Sequence, residues 1–273
     1  EMIQIPEFKT KSELFAHLRA NKQLYMSAKK SMLKQADPVS FQHLGITDKN
    51  GAEKAVSNPE LLKLDEFNVK VAISTSNIMD SHSDVHMPGM WNKSIKETKN
   101  LYHLQEHKMQ FDKIISDNVK ASVKQMTWKE LGENYDGVTE VLVFDSAIDK
   151  SRNPYMAEQY AKGRVKNHSV GMRYVKLLLA INSDEKYDRE EKEVWDKYID
   201  QVVNKTEAEE QGYFWVVLEA KVIEGSAVPL GSNQITPTIS IGKALEESRE
   251  STKDEPIDQE IIKSLEKLNQ LFN

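Results

Sequence analysis

The sequence predicts an α+β fold: a mainly antiparallel, barrel-like sheet with helices around it. Three observations carry this. Many short segments alternate apolar and polar residues with a period of two, as half-buried strands do. The longer helical patterns lie at the two ends and in one charged stretch. Strands and helices do not alternate in the regular βαβ order of a Rossmann-type sheet. With 273 residues, 39% of them apolar, and four Trp, nine Tyr and eight Phe, the chain has core material for one large domain with appendages.

Residues 1–64 read as a helical N-terminal extension and linker. Thr10 followed by Glu13 is a capping box, and Leu14, Phe15, Leu18, Leu24, Tyr25, Met32 and Leu33 form an apolar stripe that Asp37-Pro38 ends. Gly45, Asn50-Gly51 and Asn58-Pro59 mark a linker. Residues 65–242 form the main domain. Phe67, Val69, Val71 and Ile73 alternate as a strand, and a polar loop runs from Asp80 to Trp91. Further strands are expected at 111–128 and 138–144, a helix from Pro154 to Lys162 ended by Gly163, and strands from about Asn167 to Leu179 and from Tyr213 to Ile223. Residues 184–210 read as a charged helical insertion. Residues 243–273, with Ile257, Ile261, Ile262, Leu265, Leu268 and Leu271 at helical spacing, read as a terminal amphipathic helix.

The net charge is unevenly spread. Residues 8–35 carry seven bases against one acid, Glu13, whereas 184–210 carry eleven acids against five bases, a local -6 that equals the whole-chain value. The basic helix either docks on the main domain or binds an acidic partner. The absence of Cys excludes a disulfide framework, thiolate metal sites and a Cys nucleophile. No apolar run is long enough for a membrane span and no apolar signal core opens the chain, so a cytoplasmic protein is expected. A P-loop is absent and the basic helix lacks an aromatic platform, so neither phosphate-loop chemistry nor specific nucleic-acid binding is expected.

Two constellations could carry chemistry. Asp80, His82, Asp84 and His86 have metal-ligating side chains, but the Ser, Met, Pro and Gly among and after them describe a loop rich in Asx-type hydrogen bonds, and no metal or cofactor is expected. The second centres on Asn167-His168-Ser169-Val170-Gly171-Met172-Arg173-Tyr174, where a serine opens an apolar strand and Gly171 lets another chain approach closely. A serine hydroxyl needs a base to take its proton, and imidazole can do so near neutrality. His107, at the end of a short apolar segment, is the best candidate. His103 precedes it by four residues, and His168 would face away from Ser169 in a regular strand. Glu219, flanked by Trp215, Val216, Val217 and Leu218, needs a partner in an apolar strand, and an imidazolium is a suitable one.

These residues resemble the prohead (capsid maturation) proteases of tailed phages. Asp80 to Trp91 is similar to that family's D-x-x-G-D-V-V-x-P-G-A-F opening, and Leu101 to His107 to its apolar segment ending in Q-H. Asn167 to Met172 resembles its nucleophile strand, and Glu219 to Asn233 its E-V-x-L-x-E-V-S-x-V-x-x-P-A-N strand. The four matches run in the family's order from residue 67 to about 240. The chain departs from the pattern at Ser83, where Gly is usual, at His168, where an apolar residue is usual, and in the 184–210 insertion.

The resemblance implies a serine endopeptidase with a herpesvirus assemblin-type barrel. It would cleave scaffold and major capsid proteins, and itself, inside an immature prohead in the host bacterial cytoplasm, with self-association as a further implication. It makes Ser169 the nucleophile and His107 the general base. Glu219 is the expected third member and Glu224 its rival, the two facing opposite sides of a regular strand. The alternative is a non-enzymatic capsid-assembly or scaffold protein that keeps the fold.

Overall fold

A computed structural model describes residues 5–31, 33 and 57–243. The described residues belong to one compact unit, which ends at Lys243. The helix expected at 243–273 and most of the linker signals lie outside the described residues.

Helices α1 (Lys11–Ala20) and α2 (Lys22–Ser31) form the N-terminal pair. The capping box is present: Thr10 Oγ1 accepts from Glu13 N, while the Glu13 carboxylate accepts from Thr10 N. Then come β1 (Glu66–Thr75), β2 (Asp84–His86), α3 (Asn92–Glu97) and β3 (His103–Gln105). The strand region expected at 111–128 holds two strands, β4 (Ile114–Ser116) and β5 (Val119–Thr127). The Ser116 hydroxyl accepts from Asn118 N and donates to Asn118 O, making a turn that interrupts the ladder. After β6 (Val138–Asp149), α4 (Pro154–Ala161) is capped by Asn153 and followed by Gly163 at φ 67. The remainder is β7 (Asn167–Ile181), α5 (Arg189–Tyr198), α6 (Lys205–Gln211), β8 (Tyr213–Val228) and β9 (Thr238–Lys243).

The strands make two sheets. One, in the order β5-β6-β1-β9, is antiparallel throughout. In the other, β8 is the hub: β7 pairs antiparallel along one edge, and β2 and then β3 pair parallel along the other. The fold is therefore α+β, and the recorded pairing forms two sheets rather than one closed barrel among the described residues. Phe67, Val69, Val71 and Ile73 of β1, Phe144 of β6, and Val170, Met172 and Tyr174 of β7 share one core cluster. A second cluster, including Trp195, Tyr198, Phe214 and Val216, packs α5 and the segment after it against the hub sheet.

The two charge blocks meet. Arg19 pairs with Asp188, Lys22 Nζ lies 2.5 Å from Glu191 Oε1, and Lys11 Nζ donates to Glu209 O. The apolar residues Phe15, Leu18 and Tyr25 are buried beneath. The basic helices thus dock on this chain, and part of their acidic partner is the insertion itself.

One contact reaches deeper. Lys29 Nζ lies 2.5 Å from Asp84 Oδ1, the Tyr174 hydroxyl donates to Asp84 Oδ2 at 2.7 Å, and Asp84 is fully buried. Removing one partner of a buried pair strands the other's charge, so Lys29→Met should lower stability by about 3 kcal/mol. The Lys29→Met/Asp84→Asn double variant should lose less, as read from denaturant unfolding. Equal loss in both variants would show that charge pairing is not what the lysine contributes.

Candidate active site

The 80–86 loop is held by its own backbone. Asp80 Oδ1 accepts from His82 N at 2.8 Å and Asp84 N at 2.9 Å, an Asx-type turn. Ser83 takes φ 60, a conformation that glycine adopts more readily than serine. Gln211 Nε2 donates to the Ser83 hydroxyl and helps hold it there. Asp84 is committed to Lys29 and Tyr174, and His86 Nδ1 to Ser74 Oγ. Among the described residues no group of three or more His, Asp or Glu is placed to hold a metal ion.

His107 sits in a turn of unusual backbone. β3 runs parallel to residues 225–227 of β8, and Glu106 N extends the pairing by donating to Ala227 O. Then Glu106 and His107 adopt φ 54 and φ 58, two successive left-handed non-glycine residues. Each costs on the order of 1–2 kcal/mol and persists only where surrounding contacts over-determine it. Here His107 N donates to Ser226 Oγ at 3.1 Å, and His107 Nδ1 lies 2.6 Å from Glu224 Oε1. The second carboxylate oxygen of Glu224 accepts from the Ser226 hydroxyl at 2.6 Å. With Nδ1–H donating to the carboxylate, the Nε2 lone pair is the basic site, the tautomer a general base requires.

Strand register brings Ser169 alongside. Ser169 lies opposite Ser226 and Gly171 opposite Glu224. The four therefore share one face, and directly paired residues have Cβ atoms about 5 Å apart. Gly171 is what admits the carboxylate, since a Cβ there would fall 1.9 Å from Glu224 Oε1. The close approach expected at Gly171 is thus made by a side chain of this protein. Ser169 is 7% exposed and borders a cavity of about 20 Å³ lined also by Asp80, His82, Ser232 and Asn233. That is room for a water, not for a substrate side chain.

The structure brings Glu224, not Glu219, to His107. Glu219 stands opposite Lys176 between two register shifts, its side chain 30% exposed and 3.2 Å from Lys93 Nζ of α3. The bulges turn it outward, so its apolar sequence neighbours do not enclose it. Glu224, by contrast, is 1% exposed. Sequence reasoning missed Ser226 and the function of Gly171. The signal was available: in antiparallel pairing, Ser169-x-Gly171 sets a residue without a side chain opposite the carboxylate of Glu224-x-Ser226.

His103 and His168, the other two imidazoles considered, point into the interior and are fully buried. Burial holds His168 down at about 4 and His103 well below its ordinary value, the latter also through the His168 charge. Neither ring bonds a carboxylate among the described residues. The unfolded chain, with ordinary values near 6.5, takes up these protons first as pH falls. The stabilisation is thus fully present above about pH 6.5 and is lost as pH drops toward 4. For His168 the loss is about 3 kcal/mol, at roughly 1.4 kcal/mol per pK unit. Denaturant unfolding at stepped pH should show this slope already between about 6.5 and 5, before most carboxylates titrate. A flat profile there would contradict neutral burial of the two rings.

No family model, curated protein or solved structure matches this chain.

Proposed function

We propose that the chain is a serine endopeptidase of the prohead maturation type, with Ser169 as nucleophile, His107 as general base and Glu224 as the group that orients the base. The observation that carries this reading is the buried His107–Glu224 contact, set on the same sheet face as Ser169 by the pairing of Ser169 with Ser226. Two consecutive left-handed residues at the base add weight, because such strain concentrates at functional sites.

The chemistry follows from these positions. Ser169 Oγ attacks the scissile carbonyl carbon while His107 Nε2 takes its proton. The Glu224 carboxylate stabilises the imidazolium, which then protonates the leaving amine. Water hydrolyses the acyl-enzyme by the same route in reverse. In this reading the two sheets are the walls of an assemblin-type barrel, no cofactor takes part, and the substrates are scaffold and capsid proteins and the chain itself, inside an immature prohead in the host cytoplasm.

The test is incubation of purified protein with its cognate scaffold protein, followed by mass analysis of fragments. Ser169→Ala should abolish cleavage, a loss of several orders of magnitude, with the fold unchanged by circular dichroism. Equal fragment yields from wild type and variant would remove the enzymatic claim. Absence of cleavage in both would favour an assembly protein that keeps the fold without the activity.

A further inference from the structure

We infer that Tyr160 is a positioning residue: it closes a one-way chain of hydrogen bonds that ties the strand carrying Ser169 to the strand that delivers His107. The inference rests on the serine-protease reading above.

The chain has five members from five parts of the fold, all within 1% of full burial: Ser146 of β6, His103 of β3, Tyr160 of α4, His168 of β7, and Thr236 before β9. Ser146 Oγ is 3.1 Å from His103 Nδ1, and the Tyr160 hydroxyl is 2.9 Å from both His103 Nε2 and His168 Nε2. His168 Nδ1 is 2.8 Å from the Thr236 carbonyl oxygen.

Chemistry fixes the direction of every bond. A carbonyl oxygen only accepts, so His168 Nδ1 carries the proton and its neutral ring presents a lone pair at Nε2. Tyr160 must donate there, which leaves its oxygen as acceptor for His103 Nε2–H. His103 Nδ1 is then an acceptor, and Ser146 donates to it. No member can rotate or change tautomer without leaving a buried polar atom unpaired, a costly state.

This matters because β3 and β7 do not pair; β8 lies between them. Tyr160 reaches both from the interior. On one side it holds His103, four residues before His107. On the other it holds His168, the residue before Ser169. The His168 backbone is clamped as well: Thr236 Oγ1 accepts from His168 N and donates to His168 O. A Cβ at Gly231 would fall 2.6 Å from that same oxygen. Nucleophile and base therefore each stand beside a fixed anchor of one network. A shift of about 1 Å in such a pair can cost up to a hundredfold in rate.

The test uses the full chain and a scaffold-derived peptide. It compares wild type, Tyr160→Phe and Ser146→Ala by kcat and KM per folded molecule, thermal melting, and nitrogen-15 NMR of the imidazoles. Tyr160→Phe should lower kcat about tenfold with KM within about twofold, and Ser146→Ala, at the end of the chain, about threefold. Wild type should show His168 protonated on Nδ1 and His103 on Nε2. Lower melting temperatures with unchanged kcat would reduce Tyr160 to a stabilising contact and overturn the inference. The opposite tautomers would overturn the chain itself. Should Tyr160→Phe not fold, Ser146→Ala alone decides. A wild type that cleaves nothing defeats the protease reading and the positioning role with it, while the tautomers still report on the hydrogen-bond chain.

Discussion

Glu224→Gln is expected to lower kcat by two to four orders of magnitude, while Glu219→Gln keeps nearly all activity. Glutamine preserves the size of the buried side chain but carries no charge for the imidazolium. It can also present its amide to Nδ1, which favours the wrong tautomer of His107. Glu224 accepts from both His107 and Ser226 and is 1% exposed, so no solvent is at hand to substitute for it. Glu219 meets Lys93 at a partly exposed surface, where an ion pair contributes little stability and no chemistry. Parallel kinetics on scaffold peptide, with melting curves to establish folding, separate the two. A crippled Glu219 variant beside an active Glu224 variant would return the orienting role to Glu219.

Gly171→Ala should be nearly as damaging, although it adds one methyl group and touches no proton. Its Cβ would lie 1.9 Å from Glu224 Oε1 and 2.7 Å from Glu224 Cδ. A flexible surface carboxylate could swing away at little cost, but this one is held by two hydrogen bonds inside the sheet. Displacing it disengages His107, and kcat should fall roughly a hundredfold or more. The variant also supplies a coupling test. If both substitutions act through one carboxylate, Gly171→Ala/Glu224→Gln should be no slower than the worse single variant. Losses that multiply would mean that Gly171 serves some other purpose, such as admitting the substrate chain.

Much of this was legible in residue order. The period-two runs, the Thr10 capping box, the Gly163 helix end and the charged insertion follow from local rules, because helix caps and strand alternation depend on near neighbours in the chain. Ser169 and His107 could be named as candidates, the first by its place at the head of an apolar strand, the second by its place at the end of a short apolar segment.

The carboxylate that contacts His107 could not be chosen that way. Glu219 looked buried because its sequence neighbours are apolar, yet register shifts in the β7–β8 ladder turn it outward to Lys93. Glu224 is the carboxylate that finds the base, because β3 pairs onto that end of the strand and places His107, 117 residues away in sequence, against it. The meeting of the two charge blocks and the Ser146–Thr236 chain are of the same kind. Composition determines that such groups need partners, since a buried charge or polar atom is costly alone. Which partner each one finds depends on bulges, register and long-range packing, and these exist only once the chain is folded.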